Sequence, residues 1–89
     1  MTTLEEEMDR GVKAERLMRE PMLVEAFVAL DEYYTEAWKD SPLDAQTERE
    51  TIFMYISALR EVRAHLAQIA KTGELAASQR DAMTKTAIY

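Results

Sequence analysis

Two glycines and two prolines in 89 residues leave this chain few places to turn. An average sequence of this length carries about ten such residues, so the chain must run as long, rarely interrupted segments. Pro21, Pro42 and Gly73 are the natural punctuation. Between them the apolar residues recur at helical rather than strand spacing, which makes the fold class all-α.

Thr3 can cap a first helix, with Glu6 three residues on to complete a capping box, and Leu4, Met8, Val12 and Leu17 supply an apolar stripe. Glu6 with Arg10, Asp9 with Lys13 and Glu15 with Arg19 are acid-then-base pairs four apart, a spacing that supports an exposed helix. Pro21 should interrupt this helix, because proline donates no hydrogen bond to the ladder and drives Glu20 out of the helical region. From Pro21 to about Lys39, Leu23, Phe27, Leu30, Tyr34 and Ala37 form the seam of a second helix, widened by Ala26, Tyr33 and Trp38. Glu25, Asp31, Glu32 and Glu36 make its polar face, and Asp40, Ser41 and Pro42 should end it.

A third helix can start at Ser41 with Pro42, or after a short turn at Thr47 with Glu50 closing a second capping box; the later start is preferred. Its seam reads Ile52, Tyr55, Leu59, Val62, Leu66 and Ile69, and Gly73 suits the left-handed position just past a helix end, with Lys71 in the last turn. Residues 74–89 then read as a short helical tail whose large apolar side chains, Leu75, Met83 and Ile88, make no continuous stripe. The expected organisation is one domain over 1–89: an N-terminal helix (1–20), an antiparallel hairpin of two long helices (21–73) and a C-terminal segment (74–89). Leu23, Phe27, Leu30, Leu59, Val62 and Leu66 are the expected hairpin core.

A chain of 10.2 kDa sits near the size at which a single core is marginal, and it has no cysteine for disulfide support. More apolar residues occur than one stripe per helix can bury; the first helix can cover part of the surplus, or a second hairpin can pack on it, and a homo-oligomer is expected. Phe27, Tyr33, Tyr34, Trp38, Phe53 and Tyr55 are the interface candidates, since Tyr and Trp are favoured at protein interfaces. The aromatics are interleaved with acids rather than with Lys or Arg, which argues against a base-stacking platform.

Charge narrows the partners further. The net charge is -6, which repels phosphate backbones, and direct nucleic-acid binding is not expected except through an assembled oligomer. Residues 1–44 hold twelve acids and five bases, residues 45–89 five acids and six bases, so the two halves attract. No apolar run approaches the roughly 18 residues of a spanning helix, and Met1 to Glu7 carries acids where a secretory signal carries bases. A cytoplasmic protein without membrane association is expected.

No catalytic or cofactor constellation emerges. The only histidine, His65, follows Glu61 by four residues, and Val62 stands where the Glu-x-x-His pattern of ferritin-like di-iron bundles needs its glutamate. Ser41, Ser57 and Ser78 have no elbow motif, no glycine-rich phosphate loop exists, and the carboxylates read as a solvated face. No metal, no cofactor and no enzymatic activity are expected.

Scattered residues across nearly the whole chain carry a resemblance: Arg10, Gly11, Ala14, Leu17, Pro21, Ala26, Phe27, Trp38, Arg49, Glu50, Leu59, Leu66, Gly73, Leu75 and Ala76. The chain resembles a group of short helical proteins encoded by tailed bacteriophages and prophage-like elements among genes for DNA packaging and head assembly. The nearest physical analogue there is the small terminase subunit, whose oligomerisation region is similar to a helical hairpin repeated around a ring. What the resemblance implies is a self-assembling scaffold in the host cytoplasm that serves DNA packaging or virion assembly, with a phage packaging or head protein as partner. The rival expectation is a small acidic regulator that presents Glu25, Asp31, Glu32 and Glu36 to a basic protein surface.

Overall fold

The computed structural model describes residues 3–88, with side chains described for 3–85. Among them are three helices and no strand: α1 (Leu4–Arg19), α2 (Pro21–Asp40) and α3 (Gln46–Ile88). The chain divides into two compact units, one made of Glu20–Ala64 and the other of Met1–Arg19 with His65–Tyr89.

Local chemistry sets the helix ends. The Thr3 hydroxyl accepts from the Glu6 amide at 3.1 Å, so the first cap forms as its sequence predicts. Glu20 adopts an extended ψ of 117° and its carboxylate accepts from the Met22 amide at 3.1 Å, while Pro21 takes the first helical position, where its missing N–H costs nothing. The break before Pro21 is thus one residue long. Two of the expected ion pairs on α1 close, Lys13 to Asp9 at 2.9 Å and Arg19 to Glu15 at 2.7 Å. Both are exposed and each contributes a few tenths of a kcal/mol at most.

The third helix begins at Gln46, one residue before the preferred start, and the Glu50 carboxylate accepts from the Gln46 side-chain amide at 3.1 Å. It does not stop at Gly73. No described residue has a positive φ, and α3 continues in one piece to Ile88, so the expected left-handed glycine cap and separate C-terminal segment are both corrected. Glycine costs about 1 kcal/mol in a helix interior, but Glu74–Met83 is rich in Ala, Leu, Gln and Arg, which carry the helix on. Lys71 lies within the helix rather than in its last turn and pairs with Glu74 at 3.5 Å. Leu75 and Met83 are exposed; the side chain of Ile88 lies outside the described residues.

The physical role of Gly73 lies in the unit that contains it. An ideal Cβ on Gly73 would stand 2.8 Å from Cα of Gly11, and one on Gly11 would stand 2.7 Å from Cα of Gly73. The two helix backbones touch where both side chains are a single hydrogen. Ala14 and Ala76, at 3% and 2% exposure, are buried in the same unit. The inward stripe of α1 is therefore Leu4, Met8, Gly11 and Ala14 with Glu7 and Glu15 at its edges, while Val12 and Leu17, expected on that stripe, are exposed.

In the unit Glu20–Ala64 the buried side chains are Ile52 and Ile56. The α3 seam there runs through Ile52, Ile56, Leu59 and Arg63 rather than Ile52, Tyr55, Leu59 and Val62; Tyr55 and Val62 are about half exposed. Both readings obey the same three-and-four spacing, and side-chain chemistry decides between them. Burying Ile56 leaves no hydroxyl to satisfy, as burying Tyr55 would. Arg63 takes the place expected for Val62 by laying its guanidinium 4.9 Å over the Phe27 ring. Leu30, also expected in the core, is exposed, whereas Leu23, Phe27 and Leu59 are half-buried as part of this packing.

Candidate interaction surface

Within Glu20–Ala64, three side-chain contacts join α2 to α3: Trp38 with Arg49, Tyr34 with Tyr55, and Phe27 with Arg63. They sort the six aromatic candidates into three places.

The first place is the turn after α2. Residues 42–45 form a turn, with the Ala45 amide donating to the Pro42 carbonyl at 3.1 Å. Near it the Trp38 carbonyl, one of the acceptors left over at the helix end, receives the Ser41 hydroxyl at 2.6 Å and the Ser41 amide at 3.3 Å. Arg49 reaches back from the first turn of α3 and donates to the Ser41 hydroxyl at 2.8 Å, the Ser41 carbonyl at 3.1 Å and the Trp38 carbonyl at 3.4 Å. Its guanidinium also lies 4.4 Å from the Trp38 ring centroid. One planar cation thus serves as helix cap, turn clamp and ring partner, a combination that lysine's point charge cannot supply. Beside this clamp Trp38, Leu43, Phe53 and Met54 line a shallow groove rimmed by Gln46, Arg49 and Glu50. Leu43 at the tip of the turn is 91% exposed.

The second place is a tyrosine cluster. Tyr34 meets Tyr55 with ring centroids 5.3 Å apart, and Tyr33 meets Tyr34 edge-on at 5.3 Å and 76°. Phe53 and Tyr55, two residues apart on α3, point to opposite flanks of that helix, so the tyrosines and the Trp38 groove lie on different faces. The third place is interior: Phe27 is half-buried beneath Arg63. The six residues chosen together from the sequence therefore do not make one patch.

Sequence reasoning missed Arg49 as a structural clamp, although its placement was legible in principle. Trp38 and Arg49 lie nearly equally far from the centre of the Pro42 turn, so a short turn brings them face to face. Of the other two basic residues on this stretch of α3, Arg63 is half-buried and Arg60 is exposed. On α2 the acids Glu25, Glu32 and Glu36 are exposed and Asp31 is half-buried, with Glu36 paired to Lys39 at 3.5 Å.

In the other unit, exposed His65 lines a shallow hollow with Glu7, Arg10, Gln68, Ile69 and Thr72. Among the described residues no three His, Cys, Asp or Glu side chains gather closely enough to hold a metal ion, and no helix is long and apolar enough to cross a membrane. Compared with protein families, curated proteins and solved structures, the chain matches none.

Proposed function

We propose that this is a non-enzymatic, self-assembling helical protein whose working state is an oligomer. The observation that carries the reading is the apolar surface left uncovered in Glu20–Ala64. Only Ile52 and Ile56 are buried there, while Tyr33, Leu43, Phe53, Met54 and Tyr55 are each at least half exposed. A partner that covers any of these side chains would contribute roughly 25 cal/mol for every Å² of apolar area it removes from water. The structural basis of the proposal is an antiparallel hairpin of α2 with the first part of α3. Trp38, Tyr34 and Phe27 meet Arg49, Tyr55 and Arg63 in that order, so partner numbers rise as α2 numbers fall.

The biological setting follows the resemblance drawn from the sequence: a small-terminase-like adaptor in phage-type DNA packaging or virion assembly, acting in the host cytoplasm and partnered by a packaging or head protein. Light scattering across a size-exclusion peak, at two protein and two salt concentrations, tests the assembly reading. A defined oligomer is expected at the higher protein concentration in both salts. A monomer under all four conditions would reject self-assembly and turn attention to the α2 acids Glu25, Glu32 and Glu36 as a surface for a basic partner, whose binding salt would weaken.

A further inference from the structure

We propose that a second copy of this chain docks on the tyrosine face of Glu20–Ala64, leaving the Trp38 groove open. The inference rests on the self-assembly reading and specifies which face does the pairing. On α2 the face runs through Ala26, Leu30, Tyr33 and Ala37, at spacings of four, three and four. On α3 it runs through Tyr55, Ala58 and Val62, at spacings of three and four. These are the intervals at which helices pack lengthwise, and the Tyr34–Tyr55 and Tyr33–Tyr34 ring contacts join the two rows into one surface.

Three properties select a second copy as the occupant. None of the seven positions carries a charge, although 31% of the chain is charged. A partner recognised through ion pairs finds nothing to pair with here and would lose hydration without recompense. The Trp38 groove differs in this respect, being rimmed by Arg49 and Glu50. The rows also mix large side chains with alanines, so a two-fold axis can set the tyrosine and leucine of one copy over the alanines of the other, as an isologous interface requires.

The area is sufficient for a reversible pair. Leu30 is 41% exposed, Tyr33 68%, Tyr55 50% and Val62 49%. With tyrosines presenting about 200 Å² each and the aliphatics somewhat less, these four expose roughly 400 Å² per copy, or about 800 Å² for the pair. The alanines and the rim between the rows bring it to about the 1,000 Å² at which specific interfaces begin. Such a pair is a four-helix arrangement that dissociates on dilution.

The test compares Val62→Glu and Leu30→Glu with Phe53→Glu, each in the full chain, by light scattering on a size-exclusion column, with circular dichroism to verify helix content. All three positions are exposed, so the variants are expected to keep their helices. Tyr33→Ala serves as a milder second variant of the tyrosine face should a glutamate unfold the chain. The expected result is halving of the mass for Val62→Glu and Leu30→Glu, a weakened pair for Tyr33→Ala, and an unchanged mass for Phe53→Glu. Halving by Phe53→Glu alone would overturn this proposal and leave self-assembly standing, with the Trp38 groove as its interface. A monomeric parent protein would overturn both.

Discussion

Replacing Gly11 with alanine tests the close crossing of α1 and α3. At an ordinary helix position this change stabilises by about 1 kcal/mol, because alanine loses less conformational freedom. At Gly11 the new Cβ would lie 2.7 Å from Cα of Gly73 and 3.3 Å from the Ile69 carbonyl oxygen. Carbon atoms rest about 3.5–4.0 Å apart, so α1 and α3 must separate locally by roughly 1 Å. The obstructing atoms belong to backbone, and no rotamer change removes them. Overpacking of this kind costs about 1–3 kcal/mol; set against the propensity gain, the expected net loss is about 1 kcal/mol. Gly73→Ala meets Cα of Gly11 at 2.8 Å and the Glu7 carbonyl at 3.0 Å and should lose a similar amount. Gly11→Leu, with nearly the same helix propensity as alanine but a far larger side chain, should lose more than either. Urea unfolding followed by circular dichroism gives the stabilities. Amide hydrogen exchange in α1 gives the local effect, with protection expected to fall about fivefold for a 1 kcal/mol loss. If both alanine variants gained about 1 kcal/mol, as solvated helix glycines do, the close crossing would be refuted.

Substitutions at three positions probe the unit Glu20–Ala64. Arg49→Ala removes the clamp on Ser41 and Trp38 and should cost about 1–2 kcal/mol in urea unfolding. Arg49→Lys should recover less than half of that, and a lysine variant as stable as the parent would show that charge alone suffices. Ile56→Ala should destabilise by about 2 kcal/mol or more, and Tyr55→Ala by about 1 kcal/mol or less. The reverse order would place the seam of α3 where Tyr55, not Ile56, is buried.

The sequence by itself determined the all-helical class, the break before Pro21, the extent of α2 and the turn after it. These are decided within a few residues of each other: a hydroxyl cap at Thr3, a proline that cannot donate, a cluster of Asp40, Ser41 and Pro42. Which of two equally periodic stripes faces inward on α3 was not decided locally. Ile52–Tyr55–Leu59–Val62 and Ile52–Ile56–Leu59–Arg63 both satisfy helical spacing, and Phe27 on α2, by offering its ring to Arg63, favours the second. The meaning of Gly73 was likewise hidden. A glycine that ends a helix and a glycine that admits another helix look identical in one dimension, and only the approach of Gly11 from a segment 62 positions away distinguishes them. Backbone ends answer to neighbours along the chain, whereas inward faces and close crossings answer to atoms that tertiary structure alone brings together.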